Sequence, residues 1–155
     1  MGTKTIQHFD PVRREQTNYI LRVKCVDPDG KDSNHWEQLW CRKISDNLYE
    51  ICCIPFFLYN VSFGDVVKED PDLGTIDVVK PSGHYTFRVW FGDSPEPDTH
   101  EGVIKQVNGL GCLFECYSHN LMAIDAPSEG IAHQIADFLY HKQQEKLLIY
   151  ETGKI

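Results

Sequence analysis

No apolar run in this chain approaches the roughly 20 residues that a membrane-spanning helix requires, so no helical membrane span is expected. The segment from Met1 to Arg14 is polar and lacks the apolar centre of a signal peptide. A cytoplasmic protein is the expectation that follows. Basic residues are the scarcer charge, with 15 Lys and Arg against 23 Asp and Glu and a formal net charge of −8. Binding nucleic acid or an anionic membrane needs clustered Lys and Arg, so neither is expected as the main partner. Acidity instead serves solubility and can attract a basic protein.

The signatures of several chemistries are also missing. There is no pair of Cys-x-x-Cys motifs, no His-Glu-x-x-His, no Gly-x-Ser-x-Gly and no phosphate-cradling glycine loop. The seven histidines are scattered. Cys112 and Cys116 fall on an expected strand, where a spacing of four puts their Cα atoms about 13 Å apart, too far to share one metal ion. Cys52 and Cys53 are adjacent and would point to opposite faces of a strand. In a reducing compartment the six cysteines read as buried thiols rather than a disulfide framework. The stretch from Asp27 to Asp32 has the acids of a calcium loop but not its pattern. Lys31 stands at a ligand position, Asp32 replaces the turn glycine, and Gln38 stands where a bidentate Glu belongs. No metal and no cofactor are expected.

What remains is a chain of 155 residues, 41% hydrophobic and 12% aromatic, enough to bury a core. Residues 1–17 read as a polar arm shaped by packing against the body. Residues 18–83 read as a β-rich half. Its strands are Tyr19–Asp27, Glu37–Lys43, Leu48–Ile54, Phe63–Val67 and Thr75–Lys80, separated by turns at 27–30, 45–47 and 70–74. Five short strands without a helix suggest a small antiparallel sheet or partial barrel. The cluster Phe56, Phe57, Tyr59 and Phe63 reads as core.

Residues 84–155 change grammar. Tyr85–Phe91 alternates as a strand, and Asp98 is placed to cap a helix whose apolar face is Val103, Ile104, Val107 and Leu110, closed by Gly111. Strands Cys112–Tyr117 and Leu121–Ala126 follow. Ser128 then caps a second helix with the stripe Ile131, Ile135, Phe138 and Leu139, and Leu147–Glu151 is the last strand. The order β-α-β-β-α-β is that of a ferredoxin-like unit. Its helix-free face would carry Thr86, Arg88, Trp90, Glu115 and Tyr117, covered by the N-terminal half. The fold expected is therefore α+β, one compact unit with a small β-sheet packed on a ferredoxin-like unit.

Two groups of residues are candidates for function. Glu69, Asp70 and Asp72 cluster in one turn, and Asp93, Glu96, Asp98 and Glu101 in another. Either could be solvated loop, or could present carboxylates to Lys and Arg of a partner. The second group is Ser82, Gly83 and His84, with Asp65 near across the sheet. It could be a bonded turn or the start of a hydrolytic site.

Three stretches carry a resemblance. They are Leu39-Trp40-Cys41-Arg42 with Leu48-Tyr49-Glu50-Ile51, Ile54-Pro55-Phe56-Phe57 through Gly64-Asp65-Val66-Val67, and Pro81-Ser82-Gly83-His84-Tyr85-Thr86-Phe87-Arg88-Val89. Together they resemble the bacterial domain-of-unknown-function family numbered 4265, from about Tyr19 to Glu151. Asp65, Ser82, Gly83, His84 and Arg88 are its polar signature positions here. The resemblance implies a compact bacterial cytoplasmic protein and transfers no activity. Size, charge and architecture together point to an immunity protein, a non-catalytic antitoxin that binds and blocks a basic toxin domain. A small-molecule-sensing regulatory module and a hydrolase using Ser82 and His84 are the alternatives.

Overall fold

The computed structural model describes residues 3–27 and 29–154. It is a mixed α+β protein with ten strands in two sheets and two α-helices among the described residues. Pro28, in the turn expected at 27–30, lies outside them, but the Gly30 amide reaches the Asp27 carbonyl at 2.8 Å and closes that turn.

The first sheet holds β1 (Lys4–Ile6), β2 (Tyr19–Val26), β3 (Asp32–Ser45), β4 (Leu48–Ile51), β5 (Val66–Asp70) and β6 (Thr75–Lys80). The long β3 organises it. On one edge β2 runs antiparallel to it, with Leu21 opposite Leu39. On the other edge β1 pairs in parallel over His35–Glu37, and β4 pairs antiparallel further along. Leu21, Val23, Cys25, Leu39, Cys41 and Ile51 send their side chains into one core, as period-two alternation requires. The Lys24 amide donates to the Gly74 carbonyl at 2.8 Å, so the β5–β6 turn returns to β2. Gly74 has φ +68, and a Cβ there would collide with the Trp36 ring, so only glycine closes this contact.

Several expected boundaries move. The polar arm contains a strand and a 3-10 turn at Arg14–Gln16. Strand β4 ends at Ile51, so Cys52 and Cys53 lie beyond it, and both are buried rather than on opposite faces. Strand β5 begins at Val66 because Gly64, at φ +84, turns the chain before it.

The second sheet runs β10-β7-β9-β8, every neighbour antiparallel. Its strands are β7 (Tyr85–Trp90), β8 (Leu113–Cys116), β9 (Leu121–Ala126) and β10 (Ile149–Thr152). Helix α1 (Pro97–Gly109) links β7 to β8, and α2 (Glu129–Gln144) links β9 to β10. Phe87, Val89, Met122 and Ile124 form one apolar core with Val103 and Val107 of α1 and Ile135 and Leu139 of α2. Ser128 caps α2 by accepting the Ile131 amide. Asp98 does not cap α1. Glu96 occupies the N-cap position and Pro97 the first turn, where its fixed φ and missing N–H are tolerated. Asp98 therefore sits inside the first turn.

Candidate functional site

The sheet face away from the helices is polar and buried at its centre, but Trp90, expected to be covered there, is exposed, as is Leu113 at the edge. Thr86, Arg88, Glu115 and Asp125 are all buried, and each finds a partner there. Arg88 is 2% exposed and donates from Nη1 to the Leu58 carbonyl (2.7 Å) and from Nε to Glu151 (3.0 Å). Its guanidinium also lies 4.6 Å from the centre of the Tyr59 ring. The signature arginine is therefore an internal strut.

Beside it lies a charged cluster that local sequence patterns do not announce. His8 is sandwiched between Glu37 of β3 and Glu115 of β8, at 2.7 Å from each carboxylate, and stacks on Phe56 at 4.3 Å. Glu37 also accepts the amides of Phe56 (2.8 Å), Phe57 (2.9 Å) and Leu58 (3.2 Å). Glu115 accepts the Ile54 amide at 2.7 Å. Burial alone would push the imidazole down, but Cys53 and hydrogen bonds to Glu115 and Glu37 outweigh it and push His8 up to about 12. The fully buried Cys53 thiol is itself pushed up by desolvation. The imidazole beside it pulls it back down, and the Glu37 and Glu115 carboxylates add their hydrogen bonds to the ring. With His8 and the Glu37 side chain fully buried, the cluster ties the arm, loop 52–58 and both sheets together without reaching solvent.

The signature positions Asp65, Ser82, Gly83 and His84 do come together, but not as a triad. Asp65 accepts the Ser82 amide at 2.7 Å and the Ser62 amide at 2.8 Å, one on each oxygen. The Ser82 hydroxyl donates to the Phe63 carbonyl (2.8 Å) and accepts the His84 amide (3.1 Å). A Cβ on Gly64 would sit 3.1 Å from that of Ser82, so the glycine lets these two turns meet. The His84 ring finds its partner in neither Ser82 nor Asp65. Its Nδ1 lies 2.8 and 3.0 Å from the two oxygens of Asp125 on β9. Asp125 is pushed up to about 6 by burial, with His84 pulling it back down. Sequence reasoning missed Asp125, although one acid in the apolar strand Leu121–Ala126 is a signal, because a buried charge must have a partner. Asn60, Ser62, Asp65, Gly83, His84 and Lys154 line an open cleft of about 260 Å³ here.

The two acidic groups lie apart. Glu69, Asp70 and Asp72 form the β5–β6 turn, where Asp70 accepts the amides of Asp72 (3.1 Å) and Leu73 (3.3 Å). Asp93, Glu96 and Glu101 line a hollow of about 490 Å³ together with His100 and His119. Asp98 is exposed in the first turn of α1 and does not line the hollow. Among the described residues none of these four carboxylates has an ion-pair partner within 4 Å. No group of three or more metal-ligating side chains is assembled among the described residues. All six thiols are free; five are buried and Cys116 is exposed.

Residues 37–150 match the model of the family described as a domain of unknown function (DUF4265), and the chain belongs to that family. The fold is similar to that of a hypothetical protein from Neisseria gonorrhoeae, known from its crystal structure. The TM-score is 0.71 at 17% identity, covering 87% of this chain and 93% of that one. At that identity the likeness speaks of fold alone. No curated protein matches the sequence.

Proposed function

We propose that this member of the DUF4265 family is a non-catalytic binding protein, an immunity protein that neutralises a bacterial toxin by occupying a basic surface on it. The observation that carries the reading is the hollow beside the N-terminus of α1. There Asp93, Glu96 and Glu101 line one concavity, with Asp98 exposed in the adjoining helical turn, and none of the four has an ion-pair partner among the described residues. Carboxylates in the first helical turn are favoured by the helix dipole, but that does not neutralise them at long range. Grouped around a concavity in a chain of net charge −8, they form a field that draws in and orients Lys and Arg side chains. The turn Glu69, Asp70 and Asp72 is a second acidic contact on the first sheet.

In this reading the first sheet is a partial barrel packed on a ferredoxin-like unit formed by β7 to β10. The buried ion cluster makes the two a rigid body that presents a preformed surface, which limits the ordering cost of binding. The protein works in the cytoplasm, without cofactor, nucleic acid or membrane. No helix among the described residues is long and apolar enough to cross a membrane.

Capture experiments test the proposal. Tagged protein is incubated with lysate and culture medium of the native host, and retained proteins are identified by mass spectrometry. The expected result is one stoichiometric basic toxin-like partner, captured more slowly by the Glu96→Lys/Glu101→Lys variant. Retention of no protein at any ionic strength contradicts the proposal.

A further inference from the structure

The cleft beside His84 has a different character from the acidic hollow. We propose that it binds a compact small molecule through an oxyanion, a carboxylate or a phosphate, received by His84 and Lys154.

Both Asp65 oxygens are taken up by backbone amides, so the one carboxylate lining the cleft is turned into the protein. Asp125 is 2% exposed and sits behind His84 rather than in the cleft. With Nδ1 held by Asp125, the Nε2 edge of this part-exposed ring is left to meet a ligand. Lys154 lies across the cleft from sheet one, its ammonium 5.0 Å from the centre of the Tyr85 ring. The buried Ser62 hydroxyl accepts from Thr86 at 3.2 Å and keeps its own proton to donate. Arg13 adds positive charge from the arm, stacked at 4.9 Å on Phe63, which itself packs against His84.

The cleft thus offers donors and cations at its surface and keeps its acids behind them. With its Nδ1 committed to Asp125, the ring donates from Nε2 to an arriving anion once it carries its second proton. A volume of about 260 Å³ lies just below the range of about 300–1,000 Å³ usual for small-molecule sites, so the ligand is compact. Nothing in this site depends on the acidic hollow or on a protein partner.

Nitrogen-detected NMR of the histidine rings, during separate titrations with inorganic phosphate and with acetate, tests the inference on the full chain. The His84 ring signals should move saturably, at about millimolar concentration for such small probes. Tighter binding of phosphate identifies a phosphorylated ligand, and tighter binding of acetate a carboxylate. The exposed Lys154→Ala, followed through the His84 ring, and His84→Gln, followed through the Gly83 backbone amide, should each weaken binding about tenfold, the loss of one charge-assisted hydrogen bond, while the exposed Lys105→Ala should not. Unmoved His84 signals with both probes overturn the inference, as does wild-type affinity in a folded Lys154→Ala variant.

Discussion

At the scale of single residues, His8 is the most consequential position. Its imidazolium offsets two carboxylates that between them organise four backbone amides of loop 52–58. Removing one member of a buried charged set leaves the rest uncompensated, at a cost of about 3–5 kcal/mol. Glu37→Gln should therefore lower unfolding free energy by about 3 kcal/mol in urea titrations, whereas the exposed Glu101→Gln should change it by less than about 0.5 kcal/mol. The pH dependence has a definite sign. Because the folded pKa of His8 is raised from 6.5 to about 12, the fold binds its proton more tightly than the unfolded chain does. That contribution is fully present below pH 6.5 and is lost as pH rises towards 12. Denaturation of wild type and His8→Gln side by side should show a stability gap that narrows steadily above neutral pH. A gap that widens with pH would mean that the ring is neutral in the fold.

The thiols make a separate residue-scale test. Burial pushes Cys25 up to about 12 and Cys52 and Cys112 up to about 11. Buried, protonated thiols react slowly because the thiolate is the nucleophile. A thiol reagent should modify Cys116 alone in the native protein and the other five only on unfolding.

At the scale of elements, β1 is the smallest strand and the least expected. Three residues, Lys4–Ile6, pair in parallel with β3, and the arm then delivers His8 to the interior. Deleting residues 1–10 removes that strand and strands Glu37 and Glu115 as unpaired buried acids. By the same buried-charge cost the melting temperature should fall by about 10 °C or more, as followed by circular dichroism. How legible these features were in the sequence follows from their range. Helix α2 announced itself locally, with Ile135 and Leu139 on one face and Ser128 as its cap. The alternation Phe87, Val89, Phe91 likewise marked the buried face of β7. Strand β1 did not, because one buried residue, Ile6, makes no period. Nor did the partners of His8, which are 29 and 107 positions away in sequence. Asp65, Ser82 and His84 were legible as a group because two turns bring them close, but the ring partner Asp125 comes from β9, paired with β7 two residues along at Thr86.

At the scale of the whole molecule, two surfaces differ in character. The hollow at α1 gathers carboxylates, and the cleft between the sheets gathers donors. The distribution of charge, rather than its total, would separate the two proposed functions. In the proposed function the acidic hollow docks a basic partner. The most direct test of that docking is the association rate of the captured partner, measured by surface plasmon resonance for wild type and Glu96→Lys/Glu101→Lys from about 0.05 to 0.5 M salt. The account predicts a wild-type rate that falls steeply with salt and a variant about tenfold slower at low salt, with little change in dissociation. Equal rates for the two proteins, insensitive to salt, would contradict it.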